Sequence, residues 1–166
     1  MDLDPLENLS EDSETESMGT KNKTQENLPN LANLNVLVVE DSQFDRELAV
    51  AMLRKIGISE IQVAETGRFA MSKIQNAMAV KKPFDIIFLD AKLPNMDGLS
   101  LLKWMRGDFK LRLQKVIMTT ATNDIGGVAE LIEQGVKGYV VKPYTITILQ
   151  EKIAQAIKPE VKKNAG

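Results

Sequence analysis

The chain of 166 residues contains no histidine and no cysteine. The first absence excludes an imidazole base, a Ser-His-Asp triad and a phosphohistidine. The second excludes disulfides, thiol nucleophiles, iron–sulfur clusters and thiolate zinc sites. Any bound metal is therefore expected to be a hard cation with oxygen ligands. No apolar run approaches the roughly 20 residues that a membrane-spanning helix needs, so no membrane insertion is predicted.

The net negative charge of the chain is small, but the acidic residues are concentrated at its amino-terminal end. The net charge is −2, with 21 Lys and Arg against 23 Asp and Glu. Residues 1–34 contain eight acidic residues and two lysines, which gives −6 there and +4 for residues 35–166. An excess of +4 is too small to predict nucleic-acid binding. The acidic start lacks the apolar core of a secretory signal, which favours a cytoplasmic protein.

Three segments are predicted. Residues 1–33 are rich in Glu, Asp, Ser, Thr and Asn without an aromatic residue, which predicts a disordered acidic leader. Within it, leucines spaced by three are compatible with a short helical motif for a partner (Leu3, Leu6, Leu9). Residues 34–158 form one predicted domain, and 159–166 a polar tail. Deleting residues 1–33 is expected to leave the fold intact, and a large fall in melting temperature would contradict this.

Short apolar runs recur along the domain at the spacing of a strand-plus-helix unit. Segments with helical periodicity separate them, each with one apolar face. This alternation predicts an α/β fold with a five-stranded, mostly parallel sheet covered by helices on both faces. The predicted strands are residues 35–39, 60–64, 85–90, 115–119 and 138–141.

The predicted strands end in polar residues. Glu40 and Asp41 follow the first strand, Asp90 ends the third, and Thr120 lies at the end of the fourth. Lys142 follows the fifth. In open α/β sheets, sites lie beyond the carboxyl ends of the strands, so these side chains are expected to converge.

Such a set has a chemical rationale. Clustered carboxylates raise one another's proton affinity, and a divalent cation among them relieves that repulsion. Mg²⁺ is the expected cofactor, since it binds few carboxylates and completes its shell with water and phosphate oxygens. A carboxylate can also act as a covalent nucleophile, and a lysine and a threonine hydroxyl can contact phosphoryl oxygens.

Structural roles are the alternative for each residue taken singly. Acidic residues and serines after strands often cap the next helix, as Asp41 or Ser42 could do. Capping is the main role expected for Asp97, and Lys142 alone would suit an ordinary surface position. The convergence of several such residues at different strand ends favours a functional site.

Four motifs lie in order along the chain: VLVVEDS at 36–42, FLDAKLPNMDG at 88–98, VIMTTA at 116–121 and GYVVKPYT at 138–145. Together they resemble the receiver domain of bacterial response regulators, and single-domain chemotaxis regulators in particular. The resemblance spans about 34 to 157 and implies a flavodoxin-like fold with strand order 2-1-3-4-5. It also implies phosphoryl transfer from a histidine kinase or a histidine phosphotransfer protein.

The resemblance implies a role for each matched position. Asp90 matches the aspartate that accepts the phosphoryl group. Asp41 matches the main Mg²⁺ ligand, with Glu40 beside it acting through water. Asp90 itself and the backbone carbonyl of Lys92 complete the implied protein ligands.

The switch residues also follow from the resemblance. Thr120 matches the hydroxyl that moves onto the phosphoryl group, and Tyr139 the aromatic residue that follows it inward. Lys142 matches the lysine that contacts a phosphoryl oxygen, and Pro143 commonly follows it through a cis bond. Tyr139, Tyr144 and the face of helix 4, strand 5 and helix 5 would present the change to an unknown output protein.

Two positions depart from the chemotaxis relatives. Lys92 stands where they carry an amide residue, and Thr122 stands where they carry an acid. Both border the path of the attacking water, so the lifetime of the aspartyl phosphate does not follow from the resemblance. Lys92 could also pair with Glu40 or Asp41 and weaken Mg²⁺ binding.

The leading hypothesis is a stand-alone receiver that is a signalling module rather than an enzyme. It would either bind a target directly or pass its phosphoryl group to a histidine phosphotransfer protein. A third possibility within the family is a pseudo-receiver that binds partners without phosphorylation, although Asp41, Asp90, Thr120 and Lys142 argue against it.

Two other classes fit less well. A haloacid-dehalogenase phosphatase places a second Asp where this chain has Lys92. A flavin carrier needs a hydroxyl- and glycine-rich loop after strand 1, and the acidic residues here would repel a phosphate.

Overall fold

A computed structural model describes residues 30–121 and 125–159, apart from the side chains at 125 and 126. Five strands alternate with five α-helices in this part of the chain. The strands are β1 (Asn35–Val39), β2 (Glu60–Ala64), β3 (Ile86–Asp90), β4 (Val116–Thr120) and β5 (Gly138–Val141). The helices are α1 (Gln43–Ile56), α2 (Gly67–Ala79), α3 (Gly98–Gly107), α4 (Ile125–Glu133) and α5 (Ile146–Ile157).

The strands form one parallel sheet in the order β2-β1-β3-β4-β5. β1 and β3 lie in the interior of the sheet, and all five residues of each are buried, as their continuous apolar sequence predicts. β2 lies at an edge and alternates between exposed and half-buried residues before Ala64. The predicted fold class and strand order are confirmed.

The two faces of the sheet carry separate apolar cores. Alternation along β1 directs Leu37 and Val39 into one core and Val36 and Val38 into the other. The first core is completed by buried residues of α2, α3 and α4, and the second by residues of α1 and α5. This layering leaves the carboxyl ends of the strands between the helices.

Capping residues define where α1 and α3 begin and where α1 ends. Ser42 caps α1, since its hydroxyl accepts from the N–H of Asp45 at 3.3 Å, so the cap is Ser42 rather than Asp41. Asp97 caps α3 by accepting from the N–H of Ser100 at 2.7 Å, which confirms its predicted role. Gly57 ends α1 with φ of 116°, in the left-handed region that glycine tolerates.

Two strands are displaced by one residue from their predicted starts at 85 and 115. Asp85 lies directly before β3, where its N–H donates to the carbonyl of Asn35 and its carboxylate accepts from the N–H of Asn35, both at 2.7 Å. β4 extends to Thr120, which pairs with Val141. The third and fourth strands therefore run 86–90 and 116–120.

The ordered fold also begins earlier than predicted. Leu31–Asn33 forms a 3-10 turn that Asn30 caps, although this turn falls within the predicted disordered leader. Leu31 packs against the core that contains α1, which gives this turn an apolar anchor. The leucines at 3, 6 and 9, residue Thr122 and most of the predicted tail lie outside the described residues. Within the described ranges, no helix is long and apolar enough to cross a membrane.

Candidate functional site

Polar residues from four strand ends lie at the carboxyl edge of the sheet. Glu40 and Asp41 directly follow β1, and Asp90 is the last residue of β3. Because β1 and β3 are neighbours, these carboxylates are held side by side. Thr120 ends β4, and Lys142 follows β5. The predicted convergence of these residues is therefore a property of the sheet order.

The three carboxylates form a compact cluster. One oxygen from each of Glu40, Asp41 and Asp90 lies within 4.8 Å of the others. Glu40 and Asp90 are only 4% and 5% exposed, whereas Asp41 is exposed to solvent. Such an arrangement of oxygen donors, without any nitrogen or sulfur ligand, fits a hard divalent cation such as Mg²⁺.

Lys142 provides the opposite charge. Its Nζ lies 2.5 Å from Oε2 of Glu40 and 3.3 Å from Oδ2 of Asp90. The lysine side chain is 16% exposed, so these contacts are partly shielded from water. A single ammonium is thus shared between the two buried carboxylates.

Burial and mutual interaction change the acid–base behaviour of this group. Burial raises the pKa of the Glu40 carboxyl from 4.5 to about 7, and the charge of Asp90 acts in the same direction. The hydrogen bond from Lys142 lowers this pKa but does not outweigh burial. Burial lowers the pKa of Lys142, but its contacts with Glu40 and Asp90 raise that pKa by more. Lys142 therefore stays charged while Glu40 titrates near neutral pH.

Two residues of the first turn of α1 join the site, and the sequence analysis did not identify them. Asp45 contacts Lys142 at 3.5 Å through Oδ2. The Arg46 guanidinium donates to the backbone carbonyls of Glu40 at 3.0 Å and Asp41 at 3.4 Å. Arg46 also pairs with Glu65 at 3.5 Å. Their only signal in the sequence was a position three and four residues after the capping serine.

The loop after β3 packs tightly against the carboxylates. The backbone N–H of Lys92 donates to Oδ1 of Asp90 at 3.1 Å, and this fixes the orientation of that carboxylate. The Lys92 side chain is exposed, and among the described residues it makes no ion pair with Glu40 or Asp41, contrary to the predicted possibility. A Cβ on Gly98 would lie 2.2 Å from the backbone oxygen of Asp90, so only glycine fits there.

The sequence of residues 36–154 matches the protein-family model of the response regulator receiver domain. The chain belongs to this family. As a receiver domain it is 34% identical over 121 residues to chemotaxis protein CheY-3 of Vibrio cholerae serotype O1, with 73% of this chain and 89% of that protein covered. It is 32% identical over 120 residues to chemotaxis protein CheY of Pseudomonas aeruginosa, with 72% and 93% covered.

Solved structures agree with this assignment. The receiver domain resembles the Vibrio cholerae chemotaxis response regulator CheY4 with a TM-score of 0.66 and 27% identity, covering 75% of this chain and 98% of the other. It resembles the bacteriophytochrome response regulator AtBRR with a TM-score of 0.66 and 28% identity, covering 80% and 99%. The predicted family is confirmed, and the chain is a CheY-like module of two-component signalling.

The remaining matched positions of the receiver domain lie on β4 and β5. The backbone N–H of Lys142 donates to the carbonyl of Thr120 at 2.7 Å, which joins the two strand ends. The bond from Lys142 to Pro143 is cis. Tyr139 is 37% exposed, and the Nζ of Lys152 lies 5.8 Å from its ring centroid. The aromatic ring therefore lies at the surface between β5 and α5.

A cleft next to the acidic cluster completes the surroundings. It has a volume of about 330 Å³ and lies between the first turns of α1 and the segment after β5. Phe44, Leu48 and Tyr144 give it an apolar wall, and Asp45 and Lys142 give it a charged edge. Burial raises the pKa of the Tyr144 hydroxyl, which keeps that group neutral.

Proposed function

We propose that this receiver domain accepts a phosphoryl group on Asp90 from a phosphohistidine of a histidine kinase or a histidine phosphotransfer protein. In the proposed cycle, the phosphorylated form changes the affinity for an output protein. The observation that carries the proposal is the meeting of Asp90 with the Lys142 ammonium at 3.3 Å beside two further carboxylates. The chain has no histidine, so the phosphohistidine must come from a partner.

The carboxylate of Asp90 is suited to act as the nucleophile. Its Oδ1 accepts from the N–H of Lys92, and its Oδ2 contacts the Lys142 ammonium, so both oxygens are oriented before a phosphodonor arrives. In the transfer, a carboxylate oxygen forms a bond to phosphorus while the phosphorus–nitrogen bond breaks. The electron pair of the broken bond returns to the imidazole of the donor.

The acidic cluster supports a role for Mg²⁺ in this transfer. The carboxylates of Glu40, Asp41 and Asp90, with the backbone carbonyl of Lys92, would hold the ion, Glu40 acting through water. When bound, Mg²⁺ neutralises charge on the carboxylates and on the phosphoryl oxygens. Lys142, which now contacts Glu40 and Asp90, would contribute its positive charge to a phosphoryl oxygen.

The switch is proposed to involve the end of β4 and the neighbouring face. The Thr120 hydroxyl would donate to a phosphoryl oxygen, and Tyr139 would leave the surface and follow it inward. Because the Thr120 carbonyl is bonded to the Lys142 N–H, a shift of one strand end is transmitted to the other. The surface formed by α4, β5 and α5 would then favour a conformation with a different affinity for the output protein.

Intact mass spectrometry tests the phosphoacceptor. The full chain is incubated with Mg²⁺ and acetyl phosphate, and we expect a mass gain of one phosphoryl group. The gain should disappear in Asp90→Asn and in a sample treated with a chelator. Asp97→Asn is the matched control, because asparagine also caps a helix and Asp97 lies outside the cluster.

The outcomes separate the hypotheses. A gain that persists in Asp90→Asn would overturn the assignment of the acceptor. No gain in the unaltered chain, together with demonstrated Mg²⁺ binding, would overturn phosphorylation and favour a pseudo-receiver.

A further inference from the structure

The amino-terminal end of the sheet, opposite the acidic cluster, carries a groove that the proposed function does not use. Two adjoining hollows of about 480 and 580 Å³ share Leu113, Gln114 and Lys115. Phe109 and Leu113, in the segment between α3 and β4, are 81% and 83% exposed. We call these two hollows together with Phe109 the basal groove.

The basal groove is predominantly positive. Its lining contains two carboxylates, Asp85 and Glu133, against six cations (Arg106, Lys110, Arg112, Lys115, Lys137, Lys158). Asp85 is already engaged with the N–H of Asn35. The guanidinium of Arg106 is engaged as well, because it donates to the backbone carbonyls of Gln114, Gln134 and Gly135.

Four of these cations have no counter-charge in the described part of the chain. Lys110, Arg112, Lys115 and Lys158 make no ion pair with a residue of 30–121 or 125–159. Arg112 instead lies over the ring of Phe109, with its Cζ 5.0 Å from the centroid. We call these four residues the basal cations. Together with the exposed Phe109 and Leu113, they form a surface suited to an acidic segment with apolar side chains.

The same chain contains such a segment. Residues 1–29 hold eight acids and two lysines, a net charge of −6, with leucines at positions 3, 6 and 9. This segment joins the described fold at Asn30, and Leu34 lines the basal groove. The 21 residues from Leu9 to Asn30 span about 25 Å if they behave as a flexible chain. The groove is therefore within reach of the leucines.

We propose that residues 1–29 dock on the basal groove of their own chain. Their carboxylates lie against the basal cations, and the three leucines cover Phe109 and Leu113. A tether of this length keeps the segment at an effective concentration of about millimolar, which favours it over an untethered acidic partner or a second copy. Docking at this end of the sheet leaves the acidic cluster open.

Paramagnetic broadening in the full chain tests the proposal. Because the chain has no cysteine, Ser10→Cys creates a unique position for a nitroxide label. At low ionic strength we expect the amide signals of residues 109–115 to lose most of their intensity, and those around Asp90 to keep theirs. At about 1 M salt, where charges interact over only about 3 Å, the intensity should largely return.

Charge reversal provides the matched variants. Replacing three exposed basal cations in the labelled chain should abolish the broadening (Lys110→Glu, Arg112→Glu, Lys158→Glu). The control makes the same change in charge at cations of α1 and α2, and should keep the broadening (Lys55→Glu, Arg68→Glu, Lys73→Glu). Equal loss in both variants would overturn the assignment to the basal groove.

Mixing labelled with unlabelled chains distinguishes docking within one chain from docking between two copies. Unlabelled isotope-enriched chain mixed with spin-labelled chain reports only contacts between copies. Broadening at residues 109–115 that appears in this mixture as strongly as in the labelled chain would overturn docking within one chain and assign the groove to a second copy. Signals at residues 109–115 that keep full intensity at low salt would overturn docking on the groove altogether.

Discussion

Both ends of the sheet carry clustered charge, but the burial and the pairing of the charged groups differ between them. At the carboxyl end, Lys142 lies among carboxylates in a region that is largely shielded from water, and each group depends on the others. At the amino end, three of the four basal cations are exposed and Lys115 is half-buried, and they share no carboxylate within the described residues. Charge is therefore tightly coupled at one end and weakly coupled at the other. The loss of one charged group should have a much larger effect at the site than at the basal groove.

Removal of Lys142 is the largest expected effect. Lys142→Met leaves Glu40 and Asp90 without their shared ammonium, so we expect the free energy of unfolding to fall by about 3 to 5 kcal/mol without divalent cations. Urea denaturation at pH 8 measures this. Lys158→Met, which removes an exposed cation from the basal groove, is the control and should unfold at nearly the same urea concentration as the unaltered chain. Similar midpoints for both variants would contradict the comparison.

Adding a methyl group at each end of α3 compares how tightly the two ends of this helix are packed. Gly98→Ala places Cβ against the backbone of Asp90, where no flexible side chain can yield, and should lower the free energy of unfolding by about 3 kcal/mol. Gly107→Ala meets nothing within 4 Å, and should be stabilising by about 0.4 to 1 kcal/mol. Thermal and urea unfolding of both variants measure the difference. Tolerance of Gly98→Ala would refute the close approach of α3 to β3.

The pH dependence of stability follows from Glu40. Its pKa of about 7 in the folded chain exceeds the ordinary 4.5, so between these values the folded state binds more protons than the unfolded state. The free energy of unfolding should therefore decrease as pH rises from about 5 to about 8, with about 2 kcal/mol due to this group. Glu40→Gln should remove that part of the slope in urea titrations without divalent cations. Parallel curves for the variant and the unaltered chain would contradict the assignment.

The smallest expected effect concerns Asp45. Its side chain is 38% exposed and lies 3.5 Å from Lys142, so water screens the pair. Asp45→Asn should lower the free energy of unfolding by less than about 1 kcal/mol. Glu47→Gln, on the same helix but without a contact to Lys142, is the control. A loss as large as that of Lys142→Met would mean that Asp45, rather than Glu40 or Asp90, is the principal partner of the lysine.

Several features of the fold were predictable because they depend on local pattern. Strands buried on both faces must be continuously apolar, which is why β1 and β3 could be identified from VLVV and IIFL. The cap Asp97 could be predicted, and the first cap could be narrowed to Asp41 or Ser42, because capping depends only on residues up to three positions away. The strand limits near 85 and 115 were off by one residue, because pairing with neighbouring strands, which are distant in the chain, decides where each strand begins.

By itself, the sequence determined the alternation of strands and helices, the family motifs and the polar residues at the strand ends. Only the tertiary structure decided that Asp45 contacts Lys142, that Arg46 holds the carbonyls of Glu40 and Asp41, and that the basal cations surround one groove. These contacts join residues that are far apart in the chain or lie on different elements. They depend on how helices pack across a twisted sheet, and no periodicity along the chain encodes that packing. The raised pKa of Glu40 has the same origin, since burial in the folded domain, and not residue type, removes its carboxylate from water.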